Sequence, residues 1–188
     1  MSNDAVIDIQ VERIAQIFDS FDPYPFRERD LDRAAEEYIT GFARELPRGS
    51  PIRIVVHLPP TEAQSHEAAH LPDAIRRFFA YRADGKRMEL RELLRLGRRS
   101  LGIGLVVLAL CSAIGELLLR AVPDGPGVLR EGILILGWVA NWRPLEIFLY
   151  DWWPLTRQQG LFRRLAAAAV EVRVASPAQP LSGGAGAP

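Results

Sequence analysis

The sequence predicts an α+β membrane protein: a small cytoplasmic α/β sheet domain with a two-helix transmembrane hairpin inserted into it. Three observations predict this. Residues 1–99 are rich in charge, whereas residues 100–153 are strongly apolar. Residues 100–119 carry one charge, Glu116, and a helix of that length spans roughly 30 Å, the thickness of a bilayer core. Short segments that alternate apolar with polar residues, as half-buried strands do, lie on both sides of the apolar region.

The bulk numbers set bounds. A chain of 188 residues holds one ordinary domain, or a small domain plus membrane helices. Lys and Arg total 23 and Asp and Glu total 23, so no net charge draws the chain to nucleic acid, and no nucleic-acid partner is expected. The single cysteine, Cys111, excludes an intramolecular disulfide and lies in an apolar run, where a thiol acts as a small hydrophobe. The opening MSNDAVIDIQ lacks the basic-then-apolar layout of a signal peptide.

Val6 to Val11 alternates at period two and reads as a strand. ERIAQIFDSFDPYPF is ambiguous between helix and extended chain and ends in a Pro-rich turn. Asp30 is the expected cap of a helix running to about Leu46, with Leu31, Ala34, Ala35, Tyr38, Ile39 and Phe42 as its apolar stripe. Ile52, Ile54, Val56 and Leu58 form a second strand, with His57 solvated or hydrogen-bonded on its Arg53 face. Residues 59–71 read as a polar loop that closes a cytoplasmic part over 1–71. A connecting cytoplasmic helix follows over 72–99; Pro72 suits its first turn, and Asp84-Gly85 is a turn signal within it.

The hairpin is expected over 100–155, with spans at about 100–119 and 132–150. Basic residues set its orientation. Arg91, Arg95, Arg98 and Arg99 precede the first span, and Arg157, Arg163 and Arg164 follow the second. Both termini are therefore expected in the cytoplasm of a multi-pass protein of the cell inner membrane. Residues 156–175 contain a helix and a third strand, Ala169–Val174, that rejoins the sheet. The tail 176–188 cannot bury enough apolar surface to order itself.

Polar groups at membrane depth usually have a partner or a role. On the first span Gly102, Leu105, Ala109, Ser112, Ala113 and Glu116 share a face suited to close helix approach, and Glu116 can pair with Arg120 or Arg130. On the second, Asn141 interrupts the apolar run, and Arg143, Glu146, Tyr150 and Asp151 form a polar stripe. That stripe is interfacial with Pro144 bending the helix, or packs on the first span or another copy, or lines a polar path. Tyr150, Trp152 and Trp153 mark the membrane–water interface.

One catalytic motif needs weighing. His66-Glu67-Ala68-Ala69-His70 fits the zinc-protease pattern, in which histidines at i and i+4 share a helix face and Glu acts as general base. A third ligand is needed, and Glu89 is the downstream candidate. Pro72 stands where the motif helix should continue, and the polar PPTEAQS precedes it. The expected reading is a solvated loop with no metal or cofactor; His66 and His70 stand as the metal candidates. No Gly-rich phosphate loop and no Ser-His-Asp arrangement accompanies them.

WRPLEIFLYDWWP, together with the apolar hairpin and the upstream FDPYPFRERDLDRAAEEYI, resembles a group of uncharacterised bacterial two-span membrane proteins. The resemblance covers about residues 6–174. It implies a small cytoplasmic α/β domain fused to a hairpin and implies no activity. The expected function is that of a non-enzymatic interaction or assembly component in the lipid bilayer, as a homo-oligomer or within a larger membrane-protein complex. The alternatives are a channel or transport subunit using Glu116, Arg143 and Glu146, and a membrane-anchored metalloprotease using His66, Glu67 and His70.

Overall fold

A computed structural model describes residues 5–22, 29–47, 49–121 and 127–175. The expected tail 176–188 and the Pro-rich turn around residues 23–28 lie outside these residues. The chain forms two compact units: residues 1–83 with 160–188, and residues 84–159.

The first unit is built on a three-stranded parallel sheet, β1 (Ala5–Gln10), β2 (Ile52–Leu58) and β3 (Ala169–Val174), in the order β1-β2-β3. Ile7 pairs with Ile54, and Ile54 with Val170. The period-two alternation sends Ile7, Ile9, Ile54, Val56 and Leu58 into one core. The opposite face carries Asp8, Arg53, His57, Glu171 and Arg173, joined by Asp8–His57 (2.9 Å), Arg53–Glu171 (3.5 Å) and Arg173–Glu171 (2.9 Å) contacts. Val55 of the middle strand lies on that face too and is buried, and among the described residues helices pack against the core face.

Those helices are α1 (Arg33–Glu45), the first turns of α3 (His66–Ala121) and the end of α6 (Trp152–Ala166). Asp32, rather than Asp30, caps α1, its carboxylate accepting from the Ala34 N–H at 2.8 Å. The buried stripe of α1 is Ile39 and Ala43 with Ala35 beside them. Tyr38 and Phe42 instead pack against each other outside, their rings tilted by 53° with centroids 4.9 Å apart. Leu31 lies before the helix, in the core, and bridges to Phe18. The ambiguous ERIAQIF segment forms a 3-10 turn, Ile14–Ile17, whose two isoleucines are buried.

Residues 59–71 are not a loop. A short helix, α2 (Pro60–Ala63), precedes α3, which starts at His66. The Ser65 hydroxyl caps α3 by accepting from the Ala68 N–H at 3.1 Å. Pro72 lies inside the helix. Gly85 does not break it either, so the expected connecting helix and first span are one element of 56 residues.

The second unit holds the rest of α3, α4 (Gly127–Val139), α5 (Trp142–Glu146), a π-helical turn (Ile147–Asp151) and the start of α6. The second apolar segment is thus not one regular helix. It is interrupted at Ala140–Asn141 and widened at 147–151. α3 and the run Gly127–Ala166 are both long and apolar enough to cross a membrane.

Candidate functional site

The candidate site is the seam between α3 and the α4–α5 segment, within the second unit. Its α3 side is a file of small residues, Gly97, Gly104 and Cys111, seven apart, followed by Gly115; all four are buried. Its other side is Gly137, Asn141, Pro144 and Ile147, likewise buried. The contacts run antiparallel: Gly97 against Ile147, Gly104 against Asn141, and Cys111 against Gly137. A heptad spacing keeps one face of a helix toward an antiparallel neighbour, and glycine lets backbones approach where any side chain would intervene.

How close that approach is can be read atom by atom. A Cβ on Gly104 would stand 2.6 Å from Asn141 Oδ1 and 3.1 Å from the Ala140 carbonyl. One on Gly137 would meet Leu108 Cδ1 at 2.9 Å, and one on Gly97 would meet Ile147 Cγ2 at 2.9 Å. Gly102, on the other side of α3, has open space around it.

Asn141 is the polar centre of the seam. Its Nδ2 donates to the carbonyls of Gly104 and Gly137, each at 3.0 Å. The second bond has a local cause. At the interruption the Asn141 N–H turns to Trp138 O, three residues back, and the side chain takes the Gly137 carbonyl four residues back. One amide therefore completes the broken helix and fastens it to α3. Asn141 Oδ1 is buried without a conventional hydrogen-bond partner and faces the Gly104 backbone. That is the geometry in which a glycine Cα–H makes a weak contact to oxygen.

A second group follows on the outer side. Arg143 stands between two carboxylates, Glu146 at 3.0 Å and Asp151 at 3.4 Å. Trp142 Nε1 donates to the same Glu146 at 2.9 Å. The π turn brings Asp151 within reach of Arg143, and Trp152 Nε1 donates to Phe148 O at 2.8 Å. Arg157 lies over the Trp153 ring, 5.4 Å from its centroid. Tyr150 is exposed.

The structure thus brings Arg143, Glu146 and Asp151 together and puts Asn141 in the seam. Glu116 stands apart, pairing with Arg120 at 3.4 Å on an exposed surface. The expected small-residue face of α3, Gly102, Leu105, Ala109, Ser112, Ala113 and Glu116, is exposed and does not meet the α4–α5 segment of the same chain. The contact face lies nearly opposite, and the signal for it was Gly97-Gly104-Cys111 at intervals of seven.

In the first unit, His66 and His70 share a helix face, their Nε2 atoms 3.2 Å apart. Glu89 lies further along the same helix and pairs with Lys86 at 2.8 Å. Among the described residues no three His, Cys, Asp or Glu side chains are grouped to hold a metal ion. His57 reaches Asp8 beside an open groove of about 660 Å³ between β1 and the start of α1, where the Tyr38 hydroxyl donates to the Asp8 carbonyl at 3.1 Å. No family model, curated protein or solved structure matches the chain.

Proposed function

We propose that this chain is a membrane-anchored, non-enzymatic assembly component: its hairpin lies in the cytoplasmic membrane and its α/β unit on the cytoplasmic side, with both termini. One observation carries the reading. The most apolar windows of the two long helical runs are only 17% and 22% buried within the chain. Ile103, Val106, Leu110, Leu117, Ile135 and Leu136 are among the side chains left exposed. An apolar surface of that extent is unfavourable in water and marks contact with lipid or another protein. The core helix of a water-soluble protein buries such residues.

The seam supports the same reading. Apolar side chains gain nothing by leaving lipid for one another, so association in a membrane relies on close packing and interhelical hydrogen bonds. Gly97, Gly104, Gly137 and the Asn141 amide supply both. Arg143 with its two carboxylates and the nearby Trp142, Tyr150, Trp152 and Trp153 suit the membrane–water boundary, where amphipathic rings concentrate. The clustered basic residues Arg91, Arg95, Arg98 and Arg99 support a first approach to the membrane from the cytoplasmic side.

The test is fractionation followed by native mass spectrometry of the full chain extracted gently from its own membranes. The expected result is a chain that resists alkaline carbonate and carries more than one subunit. Arg143→Leu should lower the recovered assembly several-fold. A chain released into the soluble fraction would refute the membrane reading, and an assembly unchanged by Arg143→Leu would remove Arg143 from it.

A further inference from the structure

The sheet of the first unit has two edges, and they differ. In a parallel ladder, alternate residues turn their N–H and C=O toward one neighbour. Val11 N donates to His57 O, so odd residues of β1 face β2 and the Asp8 and Gln10 backbone groups face outward. α1 closes this edge in part: the Tyr38 hydroxyl donates to the Asp8 carbonyl. At the far edge, Ala175 N donates to Leu58 O, so odd residues of β3 face β2. The backbone groups of Val170, Val172 and Val174 then point away from the sheet. Among the described residues none of these outward groups has a hydrogen-bond partner. Val174 is 56% exposed. An open edge of this kind is a template for another strand.

The charges on β3 specify which strand. Glu171 and Arg173 lie on the polar face of the sheet, and Val170, Val172 and Val174 lie on the core face. Consider a second copy of β3 laid antiparallel along the edge. With Val172 opposite Val172, Glu171 faces Arg173 of the other copy twice over, and Val170 faces Val174. The outward backbone groups of 170, 172 and 174 then meet as directly hydrogen-bonded pairs, as their parity requires. Moving the two-fold axis by one residue sets Glu171 against Glu171 or Arg173 against Arg173, and like charges directly opposite are destabilising. Registers offset by half that step oppose polar face to core face, which the pleat forbids. One register satisfies backbone, charge and face together, and it is self-complementary.

We propose that the partner of the β3 edge is a second copy of this chain, joined antiparallel about Val172 into a continuous six-stranded sheet β1-β2-β3-β3-β2-β1. Both valine faces then lie on one side, and the polar face becomes a single surface crossed by the Glu171–Arg173 pairs. This rests on the assembly reading above by naming its partner, but its contacts all lie in the α/β unit and none in the hairpin.

The test uses the full chain in mild detergent, in a Cys111→Ser background. At a directly hydrogen-bonded antiparallel pair the Cα atoms stand about 5.5 Å apart, within disulfide reach. Oxidation should therefore link Val172→Cys into a homodimer, whereas Val170→Cys, which faces 174 across the axis, should stay monomeric. Glu171→Arg alone and Arg173→Glu alone should each weaken the dimer at least tenfold. Mixed together they should form a heterodimer, because each Arg of one variant then faces a Glu of the other. Asn141→Asp, which removes the amide donors of the hairpin seam, should leave the Val172 cross-link intact. A monomer at Val172→Cys, equal linking at 170 and 172, a linked product of another mass, or a mixture that does not associate would each overturn the proposal. A soluble chain that still cross-links at 172 would overturn the membrane reading and leave this one standing.

Discussion

At the scale of single residues, the seam gives the sharpest expectations. Gly104→Ala forces a methyl carbon to 2.6 Å from the Asn141 oxygen. Something in the pair must move, which costs about 1–3 kcal/mol for an overpacked contact. Gly102→Ala, two residues away with nothing near it, should be neutral or gain up to about 1 kcal/mol from helix propensity. Unfolding of the two variants in a graded detergent mixture reads the difference, and equal midpoints would contradict the packing. Asp30 gives a prediction about pH. Burial, and then the neighbouring Asp22 carboxylate, push its carboxyl above the ordinary 3.8, with Arg82 opposing. The neutral form is therefore favoured in the fold. Its stabilising contribution is full below 3.8 and is lost as pH rises through the elevated value. Asp30→Asn should raise the thermal midpoint at neutral pH and lose that advantage at about pH 3. The gain stays below about 0.5 kcal/mol, because water screens an exposed carboxylate. These residues were unequally legible. The sequence marks Asn141 as an interruption and Arg143, Glu146 and Asp151 as a stripe. It does not show that Asn141 reaches a carbonyl on another helix, because that depends on where the facing backbone lies.

At the scale of elements, alternation was the reliable signal. Ile52–Leu58 and Ala169–Val174 are strands within the residues that alternate: Ile52, Ile54, Val56 and Leu58 turn into the core with Val170 and Val172 packed against it, and Arg53, His57, Glu171 and Arg173 take the other face, where Val55 is buried as well. Helix limits were less legible. α1 starts two residues late because Asp32, not Asp30, meets the free N–H groups of the first turn. α3 runs through two residues that usually interrupt helices. Pro72 falls near the start, and the packing of Leu71, Ile75 and Phe79 around it holds the helix in place. Gly85 is tolerated within a helix at about 1 kcal/mol. Arg82 joins elements inside the first unit. It grips Glu36 of α1 through two nitrogens at 2.6–2.9 Å and lies 5.8 Å from the centroid of the Phe162 ring of α6. Arg82→Met keeps the stem and loses both interactions. It should lower stability by about 1 kcal/mol in a denaturant titration. A loss within error would mean that the pair is fully screened.

At the scale of the whole molecule, the division into a charged part and an apolar part is visible in composition alone, and the two units follow it approximately. The junction is less legible, since α3 passes from one unit to the other without a break at Ala83. The first unit is discontinuous, and the two places where the chain leaves and returns are close: Phe79 and Phe162 stack with centroids 6.2 Å apart. Replacing residues 84–159 by a short helix–helix turn should therefore yield a water-soluble α/β unit with its sheet intact. Circular dichroism and sedimentation would check it; an unfolded or aggregated product would show that the unit depends on the hairpin. The discontinuity also orders events in time. β2 is synthesised early, yet Arg53 must wait for Ala169, its partner across the whole apolar insert. During synthesis the strand stands with one side unmatched, a state prone to mispairing. A chain halted midway keeps that flaw, and one that has reached Val174 repairs it with its own β3. Completion of the sheet thus reports that everything between has already been made.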